Sequence, residues 1–335
     1  VGNGISSRIL KKTLFIIKML RKKIKIFIVT YKSRSSLNNN IKTLLESDLM
    51  EHNSEINVIN NHSDFYLNDQ YADKVKVWHN ILRPDFSTGH LARNWNQAII
   101  NGFKDLNNPD CDILVTSQDD VLFKKDCFSK LVKFHQKYSF IQSGAGDALC
   151  SYLPEAIKEI GLWDEKFCNI GYQEADYFLR ALIYNKNKSM ISDFHPGHNR
   201  ILNNEDSFLK DNTLKKNGQI HYDLNSKSRV ESSFISVPTL DSDKQADHSR
   251  SISYHAITYR LFKAKWGIEP GNWTENLINH PPKISKIKNF IFYPYFEKDV
   301  KDLEEKNYFT QQNKSFLKKT RDKIRKTTKK LLTKN

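Results

Sequence analysis

The feature that most constrains this chain is the stretch Asp112-Ile-Leu-Val-Thr-Ser-Gln-Asp-Asp-Val-Leu-Phe123. A short apolar run, Ile113 to Thr116, stops at two acidic side chains, Asp119 and Asp120, before apolar character resumes. A strand rich in Ile, Leu and Val, with little polar alternation, suits the interior of a parallel sheet covered on both faces. Carboxylates just past the C-terminal end of such a strand sit where open α/β sheets bind ligands. Two adjacent carboxylates in a crevice repel each other unless a proton or a cation neutralises them. Hard oxygen ligands favour Mg2+ or Mn2+, ions that also hold substrate phosphates. A solvated Asp-Asp turn is the plain alternative, and the rest of the chain weighs against it.

At 335 residues the chain can bury a sizeable core, as one large α/β domain with additions or as two smaller domains. With 20 Phe and 14 Tyr it has ample material for that core, which argues against global disorder. The formal charge of +15 points toward polyanions: nucleic acid, anionic lipid headgroups or a phosphorylated substrate. Heavy use of Lys, Asn and Ile gives part of that charge a compositional origin. Cys111, Cys127, Cys150 and Cys168 show no CxxC spacing and read as free thiols in a reducing compartment. No apolar run reaches the ~18 residues that span a membrane. Thr13 to Ile17 starts one, but Lys18, Arg21, Lys22, Lys23 and Lys25 interrupt it, and basic residues after the apolar core are the reverse of a signal peptide. The expectation is a cytoplasmic protein.

Residues 1–24 read as a basic amphipathic helix, with Ile9, Leu10, Leu14, Ile17 and Leu20 on one face, either lying on a membrane surface or solvated and packed on the domain. Residues 25–34 form a buried-type strand and a polar turn, and the next helix buries Ile41, Leu44 and Leu45. Glu55 to Asp64 is a second strand ending in polar residues, Lys74 to Trp78 a weaker third, and Leu91 to Phe103 a helix before the Ile113 strand. This strand and helix order belongs to a doubly wound nucleotide-binding half. Beyond it come a helix over 126–138, a strand and tight turn over 140–146, a short helix over 154–160, a helix from about Glu174 and a strand edge near 191–198. Asp176 and Arg180 are four apart on that last helix and can pair. Residues 203–250 are polar and read as an excursion or lid. Helical periodicity returns from Ser253 to Trp266, within a C-terminal part over 251–312, and the tail over 313–335 is basic.

Five segments in order resemble a GT-A glycosyltransferase of the family 2 type, over residues 25–200 with an echo at 254–267. They are Ile28-Val-Thr-Tyr31, Val58-Ile-Asn-Asn-His-Ser63, Gly89-His-Leu-Ala-Arg-Asn94, Ser117-Gln-Asp-Asp-Val121, and Leu162-Trp-Asp-Glu-Lys-Phe167 followed by Gln173-Glu-Ala-Asp176 and Arg180. The resemblance implies a Rossmann-like, mostly parallel mixed sheet flanked by helices, a nucleotide-binding half over 25–123 and an acceptor half over 124–202. It also implies an inverting transfer from a nucleotide-diphosphate sugar to a glycan or lipid-linked glycan, aided by Mn2+ or Mg2+.

Carried over residue by residue, the resemblance places Asp120 first and Asp119 second on the metal and diphosphate. It makes Glu174 the general base with Asp176 as fallback, and His195 a further metal contact for which His198 competes. Thr30, Tyr31, Asn60 or Asn61, and Arg93 fall on the nucleotide side, and Asp164, with Glu165, on the acceptor side. Trp163 reads as core. The DxD slot departs from the usual pattern, as Ser117-Gln118-Asp119 or Gln118-Asp119-Asp120, and Glu174 stands where the family has Asp. The basic ends fit an anionic inner-membrane surface at which lipid-linked acceptors sit; nucleic acid is not expected. A nucleotidyltransferase is a weaker reading because the turn Lys32-Ser-Arg-Ser-Ser36 lacks glycine. A polyanion-binding protein would leave the strand-end carboxylates without a purpose.

Overall fold

Along Lys23–Thr30 (β1), Ile24, Ile26 and Ile28 enter one core while Phe27 and Val29 enter another, the period-2 alternation of a strand buried on both faces. The computed structural model describes residues 21–32, 35–81, 90–144, 146–167, 172–191, 228–231, 234–238 and 255–266. β1 is parallel to Asn53–Asn60 (β2) on one side and to Ile113–Gln118 (β4) on the other. Lys76–His79 (β3) extends the sheet beyond β2, and Leu149–Tyr152 (β7), Phe140–Ser143 (β6) and Ser189–Ile191 (β8) extend it beyond β4. The seven-stranded order is β3-β2-β1-β4-β7-β6-β8, with β7 antiparallel to both neighbours. This is the mostly parallel mixed α/β sheet that the sequence implies.

Helices cover both faces. Ser35–Leu45 (α1) and Cys127–Phe134 (α3) bury Leu37, Ile41, Leu44, Phe128 and Leu131 with Ile26, Ile28 and Val115. Asp48 caps α3, accepting from the amides of Phe128 (2.9 Å) and Ser129 (2.8 Å), where an anion also meets the positive end of the helix dipole. On the other face Leu91–Phe103 (α2), Pro154–Ile160 (α4) and Gln173–Tyr184 (α5) pack Trp95, Ala98, Ile157, Tyr177 and Phe178 onto Phe27, Val29 and Leu114. Gly102 lets α2 press directly on Leu114, because a Cβ there would overlap the leucine side chain. Each large apolar side chain buried this way contributes about 1.5–3 kcal/mol.

Several boundaries differ from the sequence reading, for local reasons. The helix expected over 126–138 ends at Phe134, and His135 turns its ring inward to Tyr138 O, 2.9 Å away. β7 was not anticipated, since Leu-Cys-Ser-Tyr is too short to show a period. The polar excursion is not loop alone: Ser228–Glu231 (β9) and Ile235–Pro238 (β10) form a hairpin. β10 pairs with Leu122–Phe123 (β5), the two residues that follow the Asp pair by one position. Phe234 is buried edge-on to Phe134, with ring centroids 5.7 Å apart. His255–Trp266 (α6) forms as expected and buries Phe262 and Trp266 in the core. The basic segment up to residue 20, the basic tail and the rest of the excursion lie outside the described residues. Among the described residues no helix is long and apolar enough to cross a membrane.

Candidate active site

β1 and β4 run parallel, so their C-terminal ends arrive together at one edge of the sheet. Thr30 ends β1, and its hydroxyl donates to Asp119 Oδ2 at 2.6 Å. Asp119 and Asp120 form the turn after β4 and are both buried, 3% and 2% exposed, so the solvated-turn alternative fails. The Asn40 side chain on α1 donates to Gln118 O at 3.1 Å and fixes the last residue of β4 beneath that turn. Two hard carboxylates side by side out of water fit a Mg2+ or Mn2+ ion, which takes few protein ligands and completes its shell with phosphate and water. Among the described residues no cluster of three or more His, Cys, Asp and Glu forms a fuller cation site. His195 and His198, named for that role, lie outside the described residues.

At the neighbouring end of β2, Asn60 is spent on the fold. Its amide donates to His62 O (2.8 Å) and meets His79 Nδ1 (3.1 Å), while its oxygen accepts from the His62 amide (3.1 Å). Asn61, half-buried, reaches Thr30 O at 3.4 Å. Tyr31 stands edge-on to His62 with centroids 5.1 Å apart, and His79 edge-on to Phe65 at 5.5 Å. Tyr31, Asn61, His62 and His79 thus gather at the C-terminal ends of β1, β2 and β3. The sequence reading reached the first two and missed His79, which ends a strand whose pattern is weak.

On the other side of β4 a tight turn follows β6. Gly144 and Gly146 have φ of +85° and +53°, values that favour glycine, and the Gln142 side chain donates to both of their carbonyls (2.8 and 2.6 Å). The turn delivers Asp147, which sequence reasoning missed. Asp147 Oδ1 accepts from Gln118 Nε2 and Oδ2 from Trp95 Nε1, both at 2.7 Å, and the Gln173 side chain also favours its charged form. Burial pushes the Asp147 carboxyl up, against the pull of the bonds from Trp95, Gln173 and Gln118. Glu174 follows Gln173 in the first turn of α5, 6% exposed, with its Cγ lying 3.8 Å from where a Cβ on Gly146 would be. The next residue but one, Ala148, accepts from the Gln118 amide at 2.9 Å. One turn, 146–148, therefore bonds the strand that carries the Asp pair and runs beside the Glu174 side chain.

Asp176 lies elsewhere in character. Its Oδ2 accepts from Arg180 Nε (3.1 Å), the pairing expected from the spacing, and its Oδ1 from Trp266 Nε1 (2.9 Å) and Lys265 Nζ (2.7 Å). Lys265 also donates to Asp164 Oδ2 at 2.7 Å, and Asp164 Oδ1 accepts from the Lys166 amide at 3.1 Å. Burial works to raise the Asp164 carboxyl, yet the Lys265 ammonium overrides it and holds the group below its usual range. Two carboxylates and two cations thus form a buried, charge-balanced set that ties α6 to the start of α5. The match at Lys265-Trp266 is a packing feature. Trp163 is core, stacked on Tyr177 at 4.2 Å. Arg93 pairs with Glu165 at 3.4 Å, both partly exposed, and Asn96 bonds Glu165 and the Trp163 backbone, which fastens α2 to that turn.

No protein-family model matches this chain, and no curated protein matches its sequence. Among solved structures, residues 1–349 of S. aureus TarS, also seen with UDP and with UDP-GlcNAc, are similar at 13% identity and a TM-score of 0.37. That match covers 50% of this chain and 57% of the other. The mannosyltransferase PcManGT from Pyrobaculum calidifontis, in complex with GDP-Man and Mn2+, is similar at 13% identity and a TM-score of 0.37, over 51% of this chain and 55% of that one. GalNAc-T7 with UDP, GalNAc and Mn2+ is similar at 12% identity and a TM-score of 0.34, over 47% and 40%. The chain spans little more than half the length of the first two. At TM-scores this low the likeness carries no weight, and the architecture stands on the strand order and on the residues that the sheet edge gathers.

Proposed function

We propose that this protein is an inverting glycosyltransferase that moves a sugar from a nucleotide-diphosphate sugar to a hydroxyl of a glycan or lipid-linked glycan. The observation that supports this most is the turn 146–148, which runs beside Glu174 on one side and bonds the strand end before Asp119 and Asp120 on the other. A proton acceptor and a paired carboxylate site then share one sheet edge, as displacement of a diphosphate by a hydroxyl requires.

Asp120 and Asp119 would hold Mn2+ or Mg2+, with Thr30 fixing Asp119. When bound, the ion neutralises charge on the departing diphosphate as a Lewis acid. Glu174 takes the proton of the acceptor hydroxyl as that oxygen bonds the anomeric carbon. The bond from that carbon to the phosphate oxygen breaks with its electron pair leaving on the diphosphate. A single displacement of this kind inverts the anomeric centre. Glu174 is preferred over Asp176 because both oxygens of Asp176 already serve Arg180, Lys265 and Trp266. Tyr31 and Asn61 are the base-binding candidates, while Asn60 shapes their turn. Asp164 and Arg93 are assigned to the support of α5 and α2. The basic ends would keep the enzyme on an anionic membrane surface at the cytoplasmic face, near a lipid-linked acceptor.

The test is release of nucleoside diphosphate by purified protein from a panel of UDP- and GDP-sugars, with and without Mn2+, before and after Asp120→Ala. Metal-dependent release that falls about a hundredfold in the variant supports the reading, a loss in the range seen when electrostatic stabilisation of a leaving charge is removed. Equal release by both proteins ends it.

A further inference from the structure

We infer that Asp147 is the positioning residue of this site, holding the strand end that carries Asp119 and Asp120 and the helix start that carries Glu174 at one fixed spacing. The chemistry of this inference rests on the glycosyltransferase reading above; its geometry rests on contacts of Asp147 alone. Gln118 immediately precedes Asp119, and Gln173 immediately precedes Glu174. Gln118 bonds the Asp147 carboxylate at 2.7 Å, the Trp95 indole joins it at 2.7 Å from α2, and the Gln173 side chain favours its charged form from the start of α5. Three elements that are distant in sequence therefore meet on one acidic group, 4% exposed. The backbone beneath it is built for the purpose: two left-handed glycines and the Gln142 amide hold the turn that presents it. Hydrogen bonds to an ionised acceptor are shorter and roughly twice as strong as those to a neutral one. Asp147 touches neither the acceptor hydroxyl nor the diphosphate in this scheme, so its effect passes through its neighbours.

Asparagine at this place would be a poor substitute. The indole of Trp95 can only donate, so an amide must turn its oxygen to Trp95 and its NH2 toward Gln118, which must then flip. Displacement of about 1 Å in a reacting constellation costs on the order of a hundredfold in rate. The test is steady-state kinetics of Asp147→Asn and Trp95→Phe beside the wild type, on whichever donor the wild type turns over, with thermal melts of all three. The expected result for each variant is a kcat at least about tenfold lower, with the donor KM within about twofold and the Mn2+ requirement intact. Trp95→Phe probes the same carboxylate from its partner, so a failure of Asp147→Asn to fold leaves the inference testable. Variants that keep the wild-type kcat, or lose it only in proportion to unfolded protein, overturn the inference alone. A wild type that releases no diphosphate from any donor overturns the underlying reading instead.

Discussion

Thr30 and Asp119 meet hydroxyl to carboxylate across 2.6 Å, both buried, so the last residue of β1 fixes the first residue beyond β4. The contact fixes one carboxylate of the pair at the start of the turn that also carries Asp120. Thr30→Val keeps the shape of the side chain and removes the donor. A hydrogen bond to a charged group contributes about 1.5–3 kcal/mol, so urea unfolding should register a loss of that order. The Mn2+ concentration for half-maximal diphosphate release should also rise several-fold as Asp119 loses its orientation. A variant less stable but with unchanged Mn2+ dependence would separate Asp119 from the ion.

Asp119 and Asp120 are adjacent and buried, so their like charges oppose each other and a bound cation would relieve that repulsion. A ligand that binds only the folded state adds RT ln(1 + [L]/Kd), about 2.7 kcal/mol at a hundred times Kd. Wild-type protein should therefore melt higher with Mn2+ and a nucleoside diphosphate together. Asp120→Asn should melt no lower than wild type without Mn2+, because one of the two charges is gone, and should gain little when it is added. An equal Mn2+-dependent rise in both proteins would place the cation elsewhere.

Glu174 and Asp176 are two positions apart on the first turn of α5, yet they should fail in opposite ways. Glu174→Gln removes a proton acceptor and leaves the shape, so transfer should fall by at least two to four orders of magnitude with melting unchanged, the range set by general-base catalysis. Asp176→Asn strips a charge from a buried set containing Arg180 and Lys265, and removing one partner of such a pair costs about 3–5 kcal/mol. Urea unfolding should show that loss, with Trp266 emission shifting red as α6 loosens. Should Asp176→Asn stay as stable as wild type and inactive while Glu174→Gln still turns over, the two roles are reversed.

How far the sequence reveals this site depends on how locally each part is encoded. The Ile113 run and its abrupt acidic end state a buried strand and a polar edge within a dozen residues, and β4 follows from it. Asp176 and Arg180 pair at helical spacing, so their contact is visible in one dimension. Lys265 lies 101 residues from Asp164, and no local period links them. Asp147 is hidden for the same reason: Trp95 is 52 and Gln118 29 residues away, and a lone Asp after Gly-Ala-Gly reads as a turn. The β9–β10 hairpin is lost in polar composition, because each strand has only four residues in which to alternate. Asn60 shows the converse error: a strand-end amide looks available for a ligand until its partners, His62 and His79, are known.

Acid stability offers a test of the core that is independent of the site. His135 is buried and close to two groups, with Nδ1 2.9 Å from Tyr138 O and Nε2 2.6 Å from the Ser151 hydroxyl. Since a carbonyl can only accept, Nδ1 carries the proton and Nε2 accepts from Ser151, which is the neutral ring. Burial pulls the imidazole down from 6.5 to about 4, against the Tyr138 carbonyl, which favours the charged form. In this window the unfolded chain binds a proton that the folded chain refuses, so stability rises with pH. The contribution is complete above the unfolded value of 6.5, falls away as pH drops through the window, and has no further effect below about 4. The difference amounts to on the order of 3 kcal/mol at neutral pH. Urea unfolding measured from pH 4.5 to 7.5 should therefore be flatter for His135→Gln than for wild type, whatever the variant does to absolute stability. Parallel curves for the two proteins would mean that the ring already takes up its proton in the folded state.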